Sequence, residues 1–175
     1  MVFMFIVSIK SAKLKKFAAI FTAAILTLIG SVVYVSTREI KPVSNIGGII
    51  MKGATNEERI TFFSQFGWQI NPEPIEVKEI IIPQEFDEVY ENYNSIQKQQ
   101  GLDLELYKGM RAKFWSYEIL NYPGYENSDG VIRGNLLIYD GIVIGGDVSD
   151  IRLDGFMHTF FIPSEESTVL STQAG

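Results

Sequence analysis

The chain contains no cysteine. Disulfides, thiolate nucleophiles and zinc–thiolate sites are therefore excluded. Lack of cysteine suits an exported domain that folds without oxidation, and equally a domain kept in a reducing compartment. Histidine occurs once, as His158, so a metal site built on two histidines is excluded. Neither GxGxxG nor GxxxxGK[S/T] is present; no phosphate-cradling loop, and no cofactor, is expected. No serine stands in a nucleophile elbow. Basic residues are scarce after position 38. All 21 acids lie at Glu39 or beyond, against ten Lys and Arg. So acidic a segment argues against nucleic acid, whose phosphates need clustered cations.

What is present is a long apolar run. Phe17 to Val35, FAAIFTAAILTLIGSVVYV, has no charge, no proline and no amide side chain. As a helix its nineteen residues would reach roughly 28 Å, close to the ~30 Å hydrocarbon core of a bilayer. Lys10, Lys13, Lys15 and Lys16 precede it with no acid among them, whereas Arg38 and Lys41 follow with Glu39 between. The positive-inside rule then makes residues 1–16 a cytoplasmic segment and 17–35 a single-pass transmembrane signal anchor in the cell membrane. It puts the remainder on the extracytoplasmic side. The alternative is secretion after signal cleavage. Ile29-Gly30-Ser31 and Tyr34-Val35-Ser36 fit a small-x-small cut site poorly.

Residues 36–53 read as a linker, broken by Pro42 and Gly47-Gly48. Residues 54–162 read as one compact domain, and 163–175 as a small, polar, disordered tail. Thr55-Asn56-Glu57-Glu58 has the form of a capping box and opens a helix that Gly67 closes. Trp68 follows and is expected to pack on the core. Ile75 to Ile82 reads as a strand entering a buried position, ended by Pro83 in the first turn of the next helix. That helix is expected from about Gln84 to Gln100, with Phe86, Val89, Tyr90, Tyr93 and Ile96 on one stripe. Its acids crowd the N-terminal half, as the helix dipole favours, and form a solvated face rather than a metal site. Leu102 to Tyr107 reads as a turn with inward leucines.

Three more strands are expected, at Met110–Asn121, Val131–Tyr139 and Ile142–Val148. Asp140-Gly141 between the last two is a strong hairpin signal, because a tight primed turn needs positive φ. Gly145-Gly146 suggests a bulge, or close approach by another backbone or ligand. The fold class is thus α+β: two helices packed on one face of a mainly antiparallel three- to four-stranded sheet.

Asp147, Asp150, Asp154 and His158 are the only cluster with obvious chemical capacity. They are weak interaction candidates, because nothing in their spacing fixes a geometry. No catalytic, cofactor-binding or metal-ligating residue is assigned, and enzymatic activity is not expected.

Several stretches resemble a known family. They are TNEERITFFSQFGWQI at Thr55 to Ile70 and IPQEFDEVYENYNSIQKQQGLDLELYKG at Ile82 to Gly109. NYPG at Asn121 to Gly124 and NLLIYDGIVIGGDV through LDGFMH at Asn135 to His158 complete the set. The chain resembles the bacterial domain-of-unknown-function family 4830. The resemblance implies an exported or single-helix membrane protein with this domain outside. That family has no assigned activity, so it implies no site residues. The expected function is a membrane-anchored interaction or sensory module with a protein or envelope partner. The alternatives are a small envelope hydrolase using Asp147, Asp154 or His158, and a binder of small ligands or Ca²⁺.

Overall fold

The structure, a computed structural model, describes residues 42–125 and 130–162. The apolar run Phe17–Val35, the lysines before it and the tail after residue 162 lie outside the described residues. Among the described residues no helix is long and apolar enough to cross a membrane.

The order of elements is β1 (Asn45–Ile46), β2 (Ile49–Ile50), α1 (Asn56–Ser64), β3 (Glu76–Ile81), α2 (Glu88–Gln99), a 3-10 turn (Leu104–Tyr107), β4 (Arg111–Glu118), β5 (Ile132–Tyr139), β6 (Ile142–Asp150) and β7 (Met157–His158). Strands β3 to β7 form one antiparallel five-stranded sheet in chain order, and β1–β2 form a separate small hairpin. The domain is α+β, and its main sheet has one strand more than the sequence suggests. Strand β7 has only two residues, too few to carry an alternating pattern.

Local chemistry sets the element ends. The Thr55 hydroxyl accepts the Glu58 N–H at 3.2 Å, and the Glu58 carboxylate accepts the Thr55 N–H at 3.1 Å. This is the expected capping box. The second helix starts four residues later than Gln84, and Pro83 is not in it. Asp87 caps it instead, accepting the Tyr90 N–H at 2.8 Å, and a capping carboxylate outranks proline as a start signal. Asp140 and Gly141 both take positive φ, 49° and 75°, at the expected hairpin.

The helices do not share a sheet face. Gly134 and Asn135 are neighbours on β5 and so face opposite ways. A Cβ at Gly134 would lie 2.6 Å from the Phe63 ring of α1. The Asn135 amide instead donates to Asp147, which also accepts from Tyr93 of α2. The sheet is therefore sandwiched between α1 and α2. The physical reason is in β6, where Val143 to Asp150 are buried without alternation, so both faces need a cover.

The main core lies on the α1 face, where Phe62, Phe63, Trp68, Tyr117, Leu136 and Phe160 pack together. Trp68 is buried there as expected, and its Nε1–H donates to the Phe160 carbonyl at 2.6 Å. On the other face Leu104 of the 3-10 turn packs at Gly145 and Leu137. The glycine pair does sit at a bulge: Leu137 faces Gly145 and Ile138 faces Val143, so Ile144 is the extra residue. Close approach holds as well, since a Cβ on Gly146 would strike the Asn135 carbonyl and the Phe160 ring.

Two readings need correction. Strand β3 does not enter a buried position. It is a sheet edge, with Val77 and Ile81 half-exposed, and only Ile82 beyond it is buried. Residues 45–53, read as linker, belong to the fold. Met51 is buried, and the Gly53 N–H donates to the Gly141 carbonyl at 2.9 Å. Two-residue strands around Gly47-Gly48 look like spacer because their order comes from the domain they dock on.

Candidate functional site

Asp147 and His158 lie on opposite faces of the sheet. Val148 pairs directly with His158, so His158 shares Val148's face, whereas Asp147 points to α2. The Asp147 carboxylate is buried and accepts from Asn135 Nδ2 at 2.8 Å and Tyr93 OH at 3.1 Å. No cation pairs with it among the described residues. Burial raises its pKa above the ordinary aspartate range, against the pull of its donors.

Asp150 closes the end of β6. Arg152 clamps it through Nε at 3.0 Å and Nη2 at 2.5 Å, and the Arg152 N–H adds a backbone bond at 3.0 Å. These hydrogen bonds hold the Asp150 carboxyl down at about 2. Tyr125 OH also donates to it, at 3.3 Å. Asp154 sits exposed on the β6–β7 turn with φ of 60°.

His158 is half-buried among rings. Its Nδ1 lies 2.6 Å from the Thr159 carbonyl, which can only accept, so Nδ1 carries the proton. Nε2 then accepts from Tyr122 OH at 3.1 Å. Burial lowers the imidazole pKa. The four sequence candidates thus separate. His158 contacts neither Asp147 nor Asp154, and Asp150 is bound up with Arg152. Among the described residues no three acidic or histidine side chains converge on a metal-ion position.

What surrounds His158 is a ladder of rings. Tyr122 lies between Trp68, at 5.4 Å with a 2° tilt, and Phe156, at 5.0 Å with a 25° tilt. Phe156 stacks on His158 at 5.4 Å, and Tyr125 meets Tyr122 edge-on at 5.3 Å. The Arg152 guanidinium lies 4.8 Å over the Tyr125 ring. Offset stacks of this kind hold segments together beyond their simple burial. They join Tyr122, Tyr125 and the β6–β7 turn into one packed platform. From that platform the turn projects Ile151, 59 % exposed, and Leu153, 94 % exposed. Sequence reasoning missed this platform. Its rings come from three separate stretches, and only Tyr122 with Tyr125 and Phe156 with His158 are close in the chain.

A concavity of about 500 Å³ opens between the β1–β2 hairpin and α1 and is lined by Asn45, Ile50, Lys52, Glu57 and Gln65 among others. One of its lining side chains is already engaged: the Gln65 amide bonds both the N–H and the carbonyl of Ile50, at 2.8 and 3.0 Å.

Residues 62–148 match the model of a family described as Domain of unknown function (DUF4830). The chain belongs to this family. The DUF4830 match runs from the last turn of α1 to Val148 in β6, and is shorter than the stretch over which the resemblance is legible. It includes Trp68, Tyr122 and Tyr125 of the platform. It leaves out Asp150, Arg152, Leu153, Phe156 and His158. No curated protein and no solved structure matches the chain.

Proposed function

We propose that this chain is a membrane-anchored DUF4830 protein whose domain stands on the extracytoplasmic side and docks a protein partner at the β6–β7 turn. The anchor rests on the apolar run Phe17–Val35 and on the four lysines that precede it. The docking surface rests on one observation: Leu153 is almost fully exposed on a turn that Asp150, Arg152 and the ring ladder hold in place. An apolar side chain held out by an ordered turn suits insertion into an apolar groove of a partner, because little ordering entropy remains to be lost on binding.

The position of the turn suits presentation. The chain enters the domain at the Asp140–Gly141 end, where Lys52 bridges to Ile142. Strand β6 then runs nine residues to Asp150, roughly 30 Å away at 3.3 Å per residue.

Display outside the cell is tested with a single cysteine. In the full-length chain Leu153→Cys is the only thiol. A membrane-impermeant maleimide is expected to label it on intact cells. Labelling only after lysis would overturn the reading.

A further inference from the structure

Strand β3 carries a second interaction surface. Among the described residues it pairs with β4 alone and so ends the sheet. The Ile82 N–H donates to the Met110 carbonyl at 2.9 Å. Alternation along the strand then turns Ile80, Lys78 and Glu76 toward β4. It leaves the backbone N–H and C=O of Val77, Glu79 and Ile81 pointing outward. Edge strands are normally blunted by charge. Here the charges are Glu76, Lys78 and Glu79, and Lys78 already pairs with Glu76 at 2.9 Å on the α2 face.

We propose that β3 pairs antiparallel with β3 of a second copy of this chain, in the register that sets Val77 opposite Val77. A two-fold axis normal to the sheet joins like faces, so each residue can only meet one of its own parity. Four such registers overlap at least three residues of the strand. A centre at Lys78 sets lysine against lysine, and a centre at Glu79 sets glutamate against glutamate; like charges directly opposite destabilise. A centre at Ile80 sets Lys78 opposite Ile82 and Glu76 opposite Gln84, so neither charge meets its opposite. The centre at Val77 alone sets Glu76 opposite the second copy's Lys78, twice, with its backbone bonds centred on Val77, because the Ile75 N–H beyond already goes to the Ser116 carbonyl at 2.8 Å. The two Glu76–Lys78 pairs then close into a ring of four alternating charges. On the other face the half-exposed Val77 side chains meet each other. The charges that repel other edges thus complement this one.

The test uses the full-length chain under mild oxidation. Val77→Cys places a thiol opposite its own copy. Facing residues of a hydrogen-bonded antiparallel pair lie about 5.5 Å apart between Cα atoms, within disulfide reach. A covalent dimer is expected for Val77→Cys and not for Ile81→Cys, although Ile81 is as exposed. Adding Lys78→Glu to Val77→Cys is expected to lower the dimer yield at least several-fold, and adding Glu76→Lys to that variant restores it. Absence of the Val77→Cys dimer, equal crosslinking at Ile81→Cys, indifference to Lys78→Glu or failure of the charge swap to rescue would each overturn the proposal. All four substitutions are at exposed edge positions, so folding is not at stake.

Discussion

Gln100 closes the sheet edge for Gly146. Its Nε2–H donates to the Gly146 carbonyl at 2.9 Å, while its Oε1 accepts the Phe160 N–H at 3.0 Å. The β6–β7 ladder has only the pairs Val148–His158 and Ser149–Met157. Two residues further, where Phe160 would pair with Gly146, the strands part and a side-chain amide bridges the gap. Gln97 extends the network, since its Oε1 accepts the Gly146 N–H at 2.9 Å. The end of α2 is thereby tied to the segment that carries His158.

Gln100→Ala is expected to lower stability by about 1–3 kcal/mol, because two backbone groups lose their partners. The midpoint of urea unfolding reads this directly. Gln100→Glu keeps the acceptor for Phe160 but loses the donor to Gly146, and should also destabilise.

Asp147 and Asp150 are expected to give opposite pH dependences. Burial raises the Asp147 pKa, so the folded state holds the proton more tightly than the unfolded chain. Its contribution to stability therefore falls as pH rises from about 4 through the folded value. The Asp150 pKa is lowered to about 2 by Arg152, so its contribution is present above about 4 and is lost as pH falls toward 2. Asp150→Asn is expected to flatten the acid side of the stability–pH curve. Asp147→Asn is expected to remove the decline on the other side. Unfolding midpoints measured from pH 2 to 8 on the three chains check both signs.

His158→Ala is expected to lower the melting temperature, because the ring stacks on Phe156 and bonds Tyr122 and Thr159. Loss of those bonds amounts to about 1–2 kcal/mol. A hydrolase that used His158 would instead lose activity with its melting temperature unchanged. Because burial lowers the imidazole pKa, the folded state disfavours the charged ring. The histidine contribution should be complete above about 6.5 and fall as pH drops through the folded value.

Gly134→Ala should destabilise by about 1–3 kcal/mol through overpacking, since the new methyl would sit 2.6 Å from the Phe63 ring. Phe63→Leu in the same chain removes the clashing ring edge. A double-mutant cycle on denaturant midpoints is expected to show strong non-additivity between the two sites.

The features legible in the sequence are those that local chemistry determines. Thr55 with Glu58, and Asp140 with Gly141, need only their immediate neighbours to act as a cap and a turn. The second helix starts late because Asp87 competes with Pro83, and both signals were visible. The arrangement of layers was not legible. Asn135 and Asp147 look like ordinary strand polar residues until Tyr93 is found above them, so the sequence does not say that α2 covers the face opposite α1. The platform was hidden for a similar reason. Trp68, Tyr122 and Phe156 come from separate stretches, and stacking is a property of the assembled sheet end. The aspartates near His158 stood out only because the chain brings them close in number.

The most direct test of docking at the β6–β7 turn is in-cell crosslinking of the full-length chain with a photo-reactive residue in place of Leu153, followed by mass spectrometry of the adducts. The account predicts one adduct with a membrane or envelope protein, near stoichiometric, that disappears when Ile151→Asp is added and does not form from the same probe at Glu85. Adducts that form equally from both positions, or that survive Ile151→Asp, would contradict it.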